Sequence, residues 1–578
     1  EVQPFLPFTP WLKWVPVYGG DLASSGKLLE IADLILEGGE QSFSALSPLL
    51  SALEQDKPLT PTQAVHLLDQ ASPKLTQARD GLKRAASLRS EVDITQLSPR
   101  VRGLVDQYLD PLLPKLTDGL DTALALPGIM GATSAGPKTY LLLAENEDEL
   151  RPTGGFITAA GNLVVRDGQI LSLTFQDTGL LDEWALPYPP SPWQLDEYMN
   201  STVLILRDSN WYTDFPTTAE MAEYLYSYTS QHSVDGVIAF DQHSLVMLLE
   251  ATGPVQVAGF DGYVDASNVL DYMLQARLER PANGVYPEGW SYKTFIGDLA
   301  SAVMHKLYAT KTGDWQAIAK VFIKMLDERH LLLQVDDSNL AGVLSHYGWD
   351  GAVVPDSGDF LMVVDFNVGF NKTSAVVGTT LFYDVDLTDP ALPTGSLTVV
   401  HENRSPLKQD CKHWNKVPVP GQEKYPIDDC YWDYMRVYQP AGTTLLNSEA
   451  EDIPAAWMIK GEGVPARIDI LNEDEIDGLQ AFGTLLVVPG GKSIQTGLQV
   501  ALPPSILTRD PATGALHYRL TVKKQPGTIA NPITIRLHLP AGASLDLVPA
   551  GAVVQGSNVL LATDLRQDLH LELVFSPE

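Results

Sequence analysis

Apolar positions recur every three or four residues early in the chain and every second residue late in it, with a mixed stretch between. Val65, Leu68, Ala71, Leu75, Ala78, Leu82 and Ala85 form one stripe, which predicts a long amphipathic helix. Thr60 and Gln63 supply a capping box, with Pro61 at the first helical position. Pro73 is expected to bend this helix. An earlier helix carries Leu28, Ile31, Leu34 and Ile35. It is expected to be capped by Ser24 or Ser25 and stopped at Gly38-Gly39. Ser98-Pro99 opens another, striped by Leu109, Leu113, Leu116, Leu120 and Ala123. The simplest packing is a helical bundle over 21–130. It follows an extended lead-in over 1–20, where Pro alternates with aromatics.

Between 138 and 372 strand-like runs alternate with helices, which predicts an α/β domain with associated helices. Tyr140–Ala144 reads as a buried strand. Phe156–Val165 and Leu171–Phe175 read as a hairpin turned at Arg166-Asp167-Gly168. Thr217 and Glu220, after Pro216, make a second capping box for a helix over 219–228. Gly236–Phe240 is a short strand, followed by a helix started by Asp241 or Ser244. Val255–Ala258 resumes β structure, and 265–329 returns to helix. Beyond 373 the period falls to two, as in HYRLTVK and ITIRLHL. Two β domains are expected, 373–470 and 471–578. The fold class is therefore multidomain, with an N-terminal helical bundle, a central α/β (α-β-α) domain and C-terminal β-sandwich-like domains.

Charge narrows the partners. Acidic residues number 72 against 39 basic, a net charge of −33. That surface repels phosphate backbones and anionic headgroups, which argues against nucleic acid and against docking on a membrane by charge alone. No apolar run is long enough to span a bilayer. Cys411 and Cys430 bracket a Lys/Pro/Asp-rich loop. They are either two inert thiols or a loop-closing disulfide. The polar flanks favour the disulfide and a location outside the cytoplasm.

Candidate chemistry concentrates in the central stretch. Arg151-Pro152-Thr153-Gly154-Gly155 joins two strands. Its glycines serve either a tight turn or close approach to an anion held by Arg151. Asp177, Asp182 and Glu183 follow a strand. Arg207, Asp208, Asn210 and Asp214 precede a helix. Carboxylates at strand ends hold Mg²⁺ beside a phosphate, or simply cap turns and form ion pairs. Trp184 and Trp211 beside them either stack on a sugar or shield a salt bridge. The chain contains no GxSxG, HExxH or GxxxxGK[ST] motif.

The segments ENEDELRPTGGFI, LRDSNWYTDFPTTAE and VDGVIAFDQHSLVMLLEATGPVQV resemble a bacterial cell-envelope family catalogued as domain of unknown function 4012. The resemblance continues in GDFLMVVDFNVGFNKTS, YMRVYQPAGTTLL and YRLTVKKQPGT. It implies an extracellular, cell-surface protein of a family whose members usually carry an N-terminal membrane anchor; the missing anchor is this chain's main departure, and it fits processing. A more distant resemblance runs to the LytR–CpsA–Psr family, which transfers glycopolymers from polyprenyl-pyrophosphate lipids. It implies a similar central fold. It also implies catalytic roles for Arg151 and Asp177 and pyrophosphate contacts from Arg277 and Arg280, while the loop clusters themselves add Arg207 and Asp214 as catalytic candidates and Mg²⁺ on Asp177 and Asp182. This chain departs from that family's motifs: Arg151 lacks its Asp, Asp177 lacks its Arg, and the Arg277/Arg280 spacing is altered. Two functions follow as expectations. One is a non-catalytic surface scaffold or glycan-associated module, with wall glycan or surface proteins as partners. The other is a Mg-dependent glycopolymer phosphotransferase with an apolar tunnel for the prenyl chain.

Overall fold

The computed structural model describes residues 13–53, 59–132, 136–257, 262–278, 292–308, 315–406, 410–413, 427–471 and 476–577. Most of the lead-in lies outside the described residues. Helix α1 spans Gly19–Leu53 and α2 spans Pro61–Ser90. Short α3 (Pro99–Leu104) leads through one π turn into α4 (Asp110–Ile129). The capping box forms as expected, with Gln63 N–H donating to Thr60 Oγ1 and Thr60 N–H to Gln63 Oε1. All seven residues of the α2 stripe are buried. One expectation fails: α1 does not stop at Gly38-Gly39. A Cβ on Gly38 would stand 3.4 Å from Ala78 O and the Leu82 side chain, so this glycine lets two helices approach rather than ending one.

The central sheet has the order β3-β2-β1-β4-β5. Its members are β1 (Lys138–Asn146), β2 (Phe156–Arg166), β3 (Gln169–Asp177), β4 (Gly236–Phe240) and β5 (Leu331–Val335). Only β1 and β4 pair in parallel. The β2–β3 hairpin turns at Asp167 (φ 49°) and Gly168 (φ 73°), the left-handed pair that a two-residue turn requires. Helices α5 (Thr178–Leu181), α6 (Trp193–Met199) and α7 (Phe215–Ser230) follow the hairpin. The cap of α7 is Asp214, which accepts from Thr217 N–H, so the Thr217/Glu220 box is not used. An Asp preceding Phe215-Pro216 places Pro in the first turn, where its missing N–H costs nothing.

Helices α8 (Gln242–Thr252), α9 (Val269–Leu278), α10 (Tyr292–Tyr308) and α11 (Trp315–Asp327) share a small core that includes Leu249, Val269, Leu299 and Ile318. Asp241 caps α8. The β structure expected at 255–258 is a single bridge between Val255 and Val264, with 258 outside the described residues. Helix α12 (Ser338–Tyr347) closes the region.

Two large sheets occupy the rest. An eight-stranded sheet contains β6 (Asp359–Val364), β9 (Tyr431–Pro440), β11 (Asp469–Leu471), β12 (Leu479–Val488), β14 (Leu507–Arg509), β15 (Leu516–Lys523), β17 (Ser544–Leu547) and β20 (Leu569–Ser576). A seven-stranded sheet contains β7 (Val377–Asp386), β8 (Thr394–Asn403), β10 (Thr444–Glu449), β13 (Ser493–Ala501), β16 (Asn531–His538), β18 (Val553–Gln555) and β19 (Asn558–Leu565). The segments 373–470 and 471–578 do not separate here. Each sends strands into both sheets, and β6, expected in the central domain, pairs with β15 and β9.

Side chains of both large sheets meet in one apolar cluster that includes Leu361, Tyr383, Val399, Met435 and Leu520. The other face of the eight-stranded sheet meets the central region. There Phe360, Met362, Trp432, Tyr434 and Tyr438 join Leu141, Leu143, Trp211, Phe215 and Ala219 in a second cluster. That sheet is thus covered on both faces. Strand β9 shows it: all ten of its residues are buried, so YWDYMRVYQP has no polar, solvent-facing side.

Candidate functional site

The loop after β1 is positioned by its own glycines. Gly154 has φ 148°, and a Cβ on Gly155 would lie 2.2 Å from the Asn146 backbone. The turn therefore folds flat onto the end of β1. Gly155 N–H and Thr153 Oγ1 both donate to Glu145, at 3.1 Å each. Asn210 Nδ2 donates to Gly155 O and Glu145 Oε1, which ties the loop to a 3-10 segment over Leu206–Trp211.

Arg151 sits within this loop and is 1% exposed. Its Nη2 donates to Glu149 Oε1 at 3.1 Å, and Nη1 lies 3.5 Å from Asp208 Oδ1. The guanidinium stacks 4.1 Å from the Phe366 ring centroid. Lys372 Nζ donates to the other Glu149 oxygen at 2.7 Å. Burial alone would raise the Glu149 carboxyl, but Lys372 and Arg151 outweigh it and hold it below the usual range. At Asp208 burial wins over the attraction of Arg151 and Arg207, and the carboxyl is raised. The β region seals the loop from outside. Gln525 Nε2 donates to Arg151 O, Ser374 Oγ accepts from Leu150 N–H, and Asn367 N–H donates to Leu150 O. Gly527 (φ 80°) passes so near that a Cβ would lie 1.9 Å from Gly154 O.

Arg207 pairs with Asp182. Both Arg207 and Asp177 lie within 4 Å of where a Cβ on Gly179 would stand. Asp177 caps α5 by accepting from Gly179 N–H at 2.8 Å. The structure thus brings Arg151, Asp208, Arg207, Asp182 and Asp177 to one edge of the sheet. Asp214 is apart. It caps α7 and accepts from Val353 N–H at 2.9 Å, a structural post. Arg277 falls on α9, and Arg280 lies outside the described residues. Mg²⁺ on Asp177 and Asp182 does not fit this arrangement, because the Arg207 guanidinium already holds Asp182.

A small cleft opens at the carboxyl ends of the parallel pair β1 and β4, the place where ligands enter open α/β sheets. Glu145, Asn146, Asp241 and Gln242 form its polar end, with Leu245 and Met273 beside them. Its cavity volume is about 20 Å³, room for little more than one water and far below the roughly 300–1,000 Å³ of ordinary ligand pockets. No cation faces it among these lining residues. Burial raises the Glu145 carboxyl well above its usual value. Glu147 accepts from Gln242 and His243 N–H at the start of α8, and is raised by burial and by Asp241.

Sequence reasoning missed an aromatic ladder on the outside of α7. Trp184 packs edge-on to Tyr188, Tyr188 edge-on to Tyr228, and Tyr228 stacks on Tyr224 at an interplanar angle of 15°. Trp184 is 66% exposed and Tyr224 51%. The signal was present: Tyr224 and Tyr228 stand four residues apart, one turn on the same helix face. Trp211, by contrast, is buried beneath Arg436, whose guanidinium lies 4.5 Å from its ring centroid.

No curated protein matches the chain in sequence. Solved structures align at low scores. A putative nutrient binding protein from Legionella pneumophila is 10% identical over 38% of this chain and 71% of its own, with TM-score 0.24. A transcriptional regulator from Enterococcus faecalis is 11% identical over 37% and 72%, with TM-score 0.22. An M1 zinc metallopeptidase from Deinococcus radiodurans is 12% identical over 35% and 42%, with TM-score 0.17. Likeness at these scores carries no argument. Residues 135–277, from β1 to α9, match the model of the family described as Protein of unknown function (DUF4012).

Proposed function

We propose that this chain is a non-catalytic, glycan-associated module of the bacterial cell surface. The observation that carries the reading is the ladder of Trp184, Tyr188, Tyr228 and Tyr224, exposed at its two ends, Trp184 and Tyr224. Aromatic rings fixed against one another offer flat apolar faces at little entropic cost, and sugar rings stack on such faces. The Cys411–Cys430 disulfide supports an oxidising location, and no described helix is long and apolar enough to cross a membrane. Two large β sheets sharing an apolar core beside a central mixed sheet suit a scaffold.

The rival reading is a Mg-dependent phosphotransferase acting on polyprenyl-pyrophosphate-linked glycopolymer. The convergence of Arg151, Arg207 and three aspartates at the sheet edge favours it. Against it, Arg151 is sealed and already neutralised, and the open cleft is acidic. A phosphate would have to displace Glu149 and Asp208 in a site closed by Gln525 and Gly527. The test is binding to purified cell-wall glycan, with Trp184→Ala and Tyr224→Ala as variants. Each stacked ring lost is expected to weaken binding by about 10-fold, or roughly 1.4 kcal/mol. Equal binding by both variants removes the ladder from the argument. Transfer of glycan from a polyprenyl-pyrophosphate donor in Mg²⁺, abolished by Arg207→Ala, would establish the phosphotransferase instead.

A further inference from the structure

Among the polar side chains within the apolar core between the two large sheets, Asp365, His401, Asp433 and Thr379 form one group, all on positions that face it. Asp433 shares the face of β9 that carries Tyr431, Met435 and Val437. Asp365 follows the end of β6. His401 and Thr379 come from β8 and β7 of the opposite sheet. His401 and Asp433 are both 0% exposed and Asp365 is 2%. One ligand atom from each of Asp365, His401 and Asp433 lies within 4.8 Å of the others. His401 Nε2 stands 3.0 Å from Asp365 Oδ1, and Thr379 Oγ1 donates to Asp365 Oδ2 at 3.2 Å. Tyr431 OH donates to Asp433 Oδ1 at 3.0 Å. Asp433 Oδ2 has no partner, although it is fully buried. Among the described residues no Lys or Arg pairs with Asp365 or Asp433.

Two buried carboxylates beside a single imidazole, with no Lys or Arg among them, call for a compensating charge. We propose that Asp365, His401 and Asp433 form a structural divalent-cation site, of zinc type, that joins the two large sheets. One imidazole nitrogen with two carboxylate oxygens is a donor set that Zn²⁺ accepts, and Thr379 and Tyr431 orient the carboxylates from behind. Calcium, which takes six to eight oxygens, is poorly served by three ligands of which one is nitrogen. The competing occupant is a proton. Burial first, then the neighbouring Asp365, raise the Asp433 carboxyl well above its usual value, and an acid there would donate to Asp365. A site this enclosed takes its metal while the sheets close, not afterwards.

The experiment is refolding of the full chain, disulfide intact, from denaturant in either Zn²⁺ or a chelator, followed by removal of free metal. The expected result is about one zinc per chain and a Tm higher than that of the chelator-refolded protein. Asp433→Asn should abolish zinc retention and the difference between the two refolding conditions. Under the proton reading Asp433→Asn keeps the contact to Asp365 through its amide N–H, the parent retains no zinc, and its Tm is the same either way. That result overturns the proposal. Refolding the unmutated chain in Co²⁺ gives a readout that does not depend on the variant folding. Visible d–d absorption from a low-coordinate protein site supports the site, and the spectrum of the aqueous ion alone overturns it.

Discussion

Removing the Arg151 guanidinium leaves Asp208 without its buried partner and Glu149 with Lys372 alone. Breaking one member of a buried ion network costs about 3–5 kcal/mol, because the desolvated charges that remain are uncompensated. Arg151→Met is therefore expected to lower unfolding free energy in urea by that amount. A change below about 0.5 kcal/mol, the size of an ordinary surface substitution, would remove Arg151 from the structural argument. Lys524 adds a pH dependence. Its ammonium is buried, donates to Glu328 O at 2.7 Å, and is lowered from 10.5 to about 7 by burial, with Arg329 adding to the shift and Asp241, Asp568 and Glu328 opposing it. Between those two values the unfolded chain binds the proton that the folded chain has released. Stability from this group accordingly rises as pH climbs from about 7, and its charging penalty is complete below that. Denaturation midpoints of the parent should gain on those of Lys524→Met between about pH 6 and pH 9; parallel profiles would contradict the assignment.

Elements whose partners lie nearby in sequence were legible. The α2 stripe and the β2–β3 turn at Asp167-Gly168 each depend on residues a few positions apart. Elements defined by distant partners were not. The segment of β6 gave no sign of its layer and fell within the bounds 138–372, because its neighbour β15 begins more than 150 residues later. β9 hid its role because a strand covered on both faces loses the alternation that marks a half-buried one. The candidate site was legible to the same degree. Arg151 and Asp208 stood out as polar residues in turns, but Lys372, which completes the network, lies 223 residues from Glu149. Asp365, Asp433 and His401 had one signal: a polar residue in an inward register among apolar neighbours. At the same scale, Cys411–Cys430 spans 19 residues and ties the start of β9 to the segment before it. Closing a loop of that length contributes roughly 3 kcal/mol, so Cys411→Ser with Cys430→Ser should lower stability by about that much in urea titration. Unmodified thiols in protein isolated without reductant would refute the bond itself.

On the scale of the molecule, the eight-stranded sheet is the shared wall. Its one face packs on the seven-stranded sheet and its other on the central region, so residues of β1, α7, β6, β9 and β12 belong to a single cluster. The Arg151 loop plugs into that wall through Gln525, Ser374 and Asn367. Both large sheets are stitched at their centres by parallel pairs between remote segments: Leu520 against Asp359 in one, Ile533 against Leu381 in the other. A chain made or exported from its N-terminus presents β6, β7, β8 and β9 long before β15 and β16 exist. Until then each central strand has a bare edge, open to pairing with any other chain in the same state. Assembly is thus governed by arrival of the last residues, with the slow closure that such separated contacts impose. During that interval the nascent protein depends on whatever holds its edges apart, and the price of the shared wall is a long, vulnerable wait.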